Sequence, residues 1–171
     1  LQGWEVLVDN QLIPDNTGTG NDVAVDWDTT GIARDGARTV TIRATDLAGN
    51  SVTRNFTVTL DRIRPTVSVA FPTASTTLLR RQAVSVIVDV SDATSNSVDA
   101  TGIDVVARGL DGTFLSRVAR ISVRGSGGTT IRWIGRIRPG APLPSRFKIV
   151  ATATDRAGNV GAPQEVVVTL R

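Results

Sequence analysis

TIRATDLAGN (residues 41–50) and VATATDRAGN (residues 150–159) are one phrase used twice. Each runs on into an apolar stretch, the first ending at Leu60 and the second at Leu170. Asp46 and Asp155 lie 109 positions apart and Leu60 and Leu170 lie 110 apart, so one residue is gained after the turn. A repeat of this kind implies two copies of one folding unit. Ahead of the first turn, Val40, Ile42 and Ala44 alternate with Thr39, Thr41 and Arg43; ahead of the second, Ile149, Ala151 and Ala153 fall at the same register. Alternation of this kind predicts a strand with one buried and one wet face. A one-residue slip would exchange the faces, so the agreement ties the same face to the core in both copies.

Working outward, WEVLVDNQLI (residues 4–13) alternates around Asp9-Asn10, which predicts a hairpin. Residues 14–22 read as a polar loop, and Val23, Val25 and Trp27 as one face of a further strand. DRIRP (residues 61–65) is short, charged and closed by Pro65, which predicts an extended connector. Beyond it, Val67, Val69 and Phe71 form a strand stopped by Pro72, and Val84, Val86, Val88 and Val90 a second. Residues 91–102 are a long polar loop. Residues 103–110 and 114–123 pair across Asp111-Gly112, residues 129–137 carry Trp133, and a loop with Pro139, Pro142 and Pro144 leads to the repeated hairpin. Turn signals every 8–12 residues, with no helical period, predict immunoglobulin-like β-sandwiches. The division is residues 1–62 and residues 63–171. The first unit holds counterparts only from the third strand onward and is expected to lack its opening strands. Either the chain begins mid-domain or another chain fills the gap by strand addition.

Composition narrows function. Valine and threonine are abundant, histidine and cysteine are absent, and Lys148 is the one lysine. Without His or Cys, no Ser-His or Cys-His nucleophile pair exists. The two glutamates, Glu5 and Glu165, lie in different units, and the aspartates sit in loops and turns, which argues against a glycosidase and for a non-enzyme. TGTGN and GSGG have no following helix and lysine, so they are turns and not phosphate cradles. No apolar run nears the ~20 residues of a membrane helix, so membrane insertion is not expected. Net charge is +3, but residues 1–63 hold five basic against nine acidic side chains (−4) and residues 64–171 fourteen against seven (+7). Opposite-sign halves suit two differently decorated surfaces, or head-to-tail contact between neighbouring copies. Arg108, Arg117, Arg120, Arg124, Arg132, Arg136 and Arg138 crowd the second unit. They read as a solvated sheet face or a docking surface for acidic protein, polysaccharide or lipid; nucleic acid is not expected without interleaved aromatics.

These stretches (WEVLVDNQLI, the D.AGN turns, and the connector VTLDRIRPTVSV) resemble the tandem bacterial Ig-like repeats of large surface and secreted proteins. The likeness covers most of the chain and is poorest over residues 73–144. It implies an extracellular or cell-surface stalk, adhesin or spacer, whose partners are other domains of the chain, neighbouring copies, or a polysaccharide or cell-surface ligand. Two alternatives stand beside it. One is a filament subunit whose first domain is completed by a neighbour. The other is an accessory carbohydrate-binding module, which would need exposed tryptophans, whereas Trp27 and Trp133 read as core. Some such repeats bind calcium where one domain follows another. The loop order of a sandwich brings Asp61, Asp92, Asp155 and Asn159 to one pole, and hard cations take six to eight such oxygens. The competing reading is that Asp155 and Asn159 only shape their turn. Asp46 and Asn50 lack the corresponding connector and loop.

Overall fold

The computed structural model describes residues 1–20, 22–79, 83–92, 100–124, 127–133 and 144–171. Every regular element among them is a strand. The chain divides into two compact units, Leu1–Asp61 and Arg62–Arg171.

Unit 1 is one antiparallel sheet of β1 (Gly3–Val8), β2 (Gln11–Gly18), β3 (Gly36–Thr45) and β4 (Ser51–Leu60), in the order β2-β1-β3-β4. The β1–β2 turn places Asp9 at φ 50° and Asn10 at φ 66°, the left-handed pair that twists a hairpin in the sense its strands require. Trp4, Val6 and Val8 pair with Ala44, Ile42 and Val40, so the predicted buried face of β3 continues onto β1. Val6, Val8, Ile13 and Val40 are buried there, with Trp4, Val25, Trp27, Ile42 and Val58 packed around them.

Two expectations fail in this unit. Residues 14–18, expected as loop, continue β2, which lies at the sheet edge, where a proline is tolerated. Val23, Val25 and Trp27, expected as a strand, join no sheet among the described residues: residues 22–29 are irregular chain, with Val25 and Trp27 packed against the core of the unit. Val25 and Trp27 are half-buried and Val23 is exposed, so the alternation sets a partly inward face without a ladder. β4 is correspondingly open, with Phe56 47% and Val52 52% exposed.

Unit 2 is a two-layer sandwich. One sheet is β5 (Thr66–Phe71), β7 (Val84–Ser91) and β10 (Gly127–Trp133), ordered β10-β7-β5. The other is β6 (Thr77–Leu78), β8 (Ala100–Arg108), β9 (Phe114–Arg124), β11 (Arg146–Thr154) and β12 (Gln164–Leu170), ordered β6-β12-β11-β8-β9. β6, which the sequence did not announce, crosses from the first sheet to pair parallel with β12. The core interleaves Val84, Val86, Val88 and Val90 with Ile103, Val105, Ile149, Ala151, Ala153 and Val168. Trp133 is 6% exposed and meets Phe147 edge-on at 5.9 Å, which places it in the core as expected. Trp27 reaches a core only in part. The predicted features at residues 93–99, 125–126 and 134–143, including Pro139, Pro142, Arg136 and Arg138, lie outside the described residues.

In strand order and hairpin connection, β2-β1-β3-β4 matches β9-β8-β11-β12. Unit 1 therefore corresponds to one of the two sheets of unit 2. Among its described residues nothing corresponds to β5 or β7.

A candidate metal centre at the connector

Both D.AGN segments fold into the same turn. Asp46 N–H donates to Asn50 O (2.9 Å) and Asp155 N–H to Asn159 O (3.1 Å). Gly49 at φ 86° and Gly158 at φ 92° carry the left-handed position, where a side chain would be strained. The aspartate then caps the turn from inside. Asn50 donates its backbone N–H to Asp46 Oδ1 (2.8 Å) and its Nδ2 to Oδ2 (2.9 Å), and Asn159 does the same to Asp155 at 2.8 and 2.8 Å. The Asn50 side-chain amide, then its backbone N–H, holds the Asp46 carboxyl below the ordinary carboxylate range. The motif thus specifies a turn in both units.

The surroundings differ. Asp155 is 6% exposed, the one buried acidic side chain among the described residues, whereas Asp46 is half-buried and its Asn50 partner exposed. Three local features bring other groups to Asp155. After the turn, Thr154 bridges Val160 and Gly161 N–H donates to Ala153 O (2.9 Å), which sets Gly161 against the Pro65 carbonyl. Pro65 is fully buried, so the end of the connector is held at this pole before β5 begins. Thr66, the first residue of β5, pairs with Ser91 and donates its Oγ1 to Ser91 O (3.2 Å), bringing Asp92 alongside.

As a result, carboxylate oxygens of Asp61, Asp92 and Asp155 lie within 4.8 Å of one another, with Asp61 and Asp92 half-buried. Asn159 acts on this cluster through Asp155, which its backbone and amide N–H groups orient. Carboxylate oxygens have lone pairs left after one hydrogen bond each, so turn capping and cation binding are compatible roles for Asp155. An all-oxygen anionic donor set suits a hard divalent cation better than a transition metal. At Asp46 no equivalent acidic neighbours gather among the described residues.

Among the described residues the arginines do not form one surface. Arg117 and Arg120 both pair with Asp104, at 3.0 and 3.3 Å, and Arg108 donates to Gly112 O (2.8 Å), all on β8 and β9 or their turn. Arg132 stands on β10, in the other sheet. Lys148 pairs with Glu165 at 2.8 Å. With side chains 50% and 68% exposed, Arg117 and Arg120 belong to a solvated face.

No protein-family model matches this chain, and no curated protein matches it. Among solved structures, the fibronectin(III)-like modules of Clostridium thermocellum CbhA overlay with a TM-score of 0.56 at 14% identity, covering 99% of this chain and 78% of that one. The SrpA adhesin of Streptococcus sanguinis gives a TM-score of 0.42 at 18% identity, over 65% of this chain and 59% of that one. The sialic acid binding region of the Streptococcus sanguinis SK1 adhesin, bound to 3'sLn, gives 0.40 at 21%, over 63% and 30%. The CbhA likeness establishes an all-β, fibronectin- and Ig-like sandwich fold. No helix among the described residues is long and apolar enough to cross a membrane.

Proposed function

We propose that this chain is a non-enzymatic, extracellular Ig-like module that serves as a spacer or adhesion segment of a surface or secreted protein. The reading rests on the fold together with the absence of histidine and cysteine, which removes the commonest nucleophile–base pairs. In this reading calcium joins Asp61, Asp92 and Asp155, holding the connector against the pole of unit 2. The single observation that carries the metal assignment is the convergence of the three carboxylates.

Calcium sites of extracellular modules have dissociation constants of about 0.1–1 mM, so ~10 mM calcium stabilises by roughly 1.4–2.7 kcal/mol. For a unit of this size that raises the melting temperature by about 5–10 °C. The response is expected to vanish in Asp92→Asn and to persist in Asp46→Asn. An unchanged melting temperature between calcium and chelator rules the site out. A glycan and extracellular-matrix array separates adhesion from a pure spacer. Failure to bind any polysaccharide, with Trp133 buried, also disposes of a carbohydrate-binding module.

A second reading, a filament subunit completed by a neighbouring chain, is favoured by the open face of β3 and β4. Electron microscopy and size-exclusion chromatography test it: a chain that stays monomeric across the concentration range rejects it.

A further inference from the structure

Val150 is the one buried hydrophobic side chain among the described residues that belongs to neither core. On β11, Ile149, Ala151 and Ala153 point between the sheets of unit 2, so Lys148, Val150 and Thr152 take the outer face. An outer valine is ordinarily wet, yet Val150 is 6% exposed. Val106 pairs with it on β8, and the two make an apolar floor on an otherwise polar face. Arg108 stands at one end of that floor, Asp104 and Thr152 at the other, and Glu165 beside it on β12. With Arg120, opposite Asp104 on β9, they line a groove of about 440 Å³.

The charges round this floor do not cancel. Asp104 accepts from two guanidiniums, Arg117 at 3.0 Å and Arg120 at 3.3 Å, and Glu165 accepts from Lys148 at 2.8 Å. Arg108 donates to the Gly112 carbonyl, which carries no formal charge. Four cations thus stand against two carboxylates, an excess of two on the cationic side. The backbone of the floor is already in use: β8 is hydrogen-bonded to β9 and β11, and β11 to β8 and β12. A peptide that joins a sheet needs an edge, so its backbone groups find no ladder here. No aromatic ring lines the groove, so a neutral sugar has no face to stack on. A densely anionic ligand meets Asp104 and Glu165 as repelling neighbours. What these side chains can hold is a single carboxylate on a guanidinium, with hydroxyls on Thr152, Asp104 and Glu165.

We propose that this groove of unit 2 binds a carboxylated sugar, a uronic acid residue of an acidic polysaccharide. The ring lies over Val106 and Val150, which accounts for an apolar floor at outward positions. Its carboxylate pairs with Arg108, and its hydroxyls bond with Thr152, Asp104 and Glu165 toward the other end. Charge-assisted bonds at a solvent-open site carry the affinity, so binding weakens as salt rises. The site rests on the adhesion reading and names its ligand class. The two fail separately: a glycan or matrix ligand from the array that leaves the groove untouched keeps adhesion and removes the groove.

The test titrates the full 171-residue chain with trigalacturonate and follows its backbone amide NMR shifts. Shifts are expected to gather at residues 104–108 and 150–152, and to be absent with galactotriose, the neutral counterpart. Arg108→Gln is expected to weaken binding about tenfold or more, the loss of one charge-assisted contact. Arg132→Gln makes the same change of net charge on the other sheet and is expected to leave binding unaltered. The shift map of the unaltered chain tests the site without any substitution. The proposal is overturned if trigalacturonate shifts none of these residues, or if galactotriose shifts them equally. It is also overturned if a triglutamate peptide binds there as well as the sugar acid, or if Arg132→Gln weakens binding as much as Arg108→Gln, because net charge alone would then explain the attraction.

Discussion

Val58 and Val168 are equivalent residues in the two copies of one strand, and the same truncation is expected to cost different amounts. Val168 is 0% exposed and sits between the sheets of unit 2. Val168→Ala removes two methyl groups, a transfer loss of about 1.6 kcal/mol. The cavity of roughly 50 Å³ that remains adds up to about 1 kcal/mol if its walls do not collapse. The sum is ~2–3 kcal/mol. Val58 is half-buried at the margin of an open face. Val58→Ala loses about half the transfer energy and leaves no enclosed void, so below ~1 kcal/mol is expected. Trp133 reports on unit 2 and Trp4 and Trp27 on unit 1, so chains keeping one set, the other replaced by Phe, resolve each unit in denaturant titrations. Equal costs for the two substitutions would refute the reasoning, because Val58 would then be enclosed in solution.

Two more predictions follow from local geometry. Gly161→Ala drives a Cβ into the Pro65 carbonyl oxygen, so it is expected to destabilise unit 2 by roughly 2 kcal/mol or more and to abolish any calcium response; differential scanning calorimetry in both conditions checks it. The carboxyls of Asp46, held down by Asn50, and of Asp28 and Asp111, held down chiefly by the backbone N–H groups of Thr30 and Thr113, all titrate below the ordinary value. A depressed folded-state value means that their contribution is complete above the unfolded value of about 3.9 and disappears as pH falls through the folded one. Urea midpoints are therefore expected to be insensitive to these groups from pH 7 to about 5 and to drop below pH ~4. Asp46→Asn and Asp111→Asn should each flatten that drop. A loss of stability centred above pH 5 that these substitutions abolish contradicts the assignment.

Much of the fold was legible because β-structure writes itself in period two. The repeated hairpins, the Asp9-Asn10 and Asp111-Gly112 turns, and the buried registers of β3, β7 and β11 were readable from single residues. The two failures are informative. Residues 14–18 carry Pro and Gly, which usually mark a loop, yet an edge strand tolerates them because one side of its backbone needs no partner. Val23, Val25 and Trp27 alternate like a strand but join no sheet among the described residues, because a ladder needs a second segment in register as well as a pattern in the first.

At the candidate metal centre the same division holds. D.AGN by itself determines a turn: the aspartate has donors within four residues and the glycine supplies the left-handed φ, so both copies fold alike. Whether that aspartate also meets other carboxylates is decided by groups 63 and 94 positions away, Asp92 and Asp61, which the Gly161–Pro65 approach and the Thr66–Ser91 pairing carry to it. Local sequence fixes hydrogen bonds that close over a few residues. Only tertiary packing decides which distant charges share a site, because that depends on how the sheets stack and where the connector is pinned.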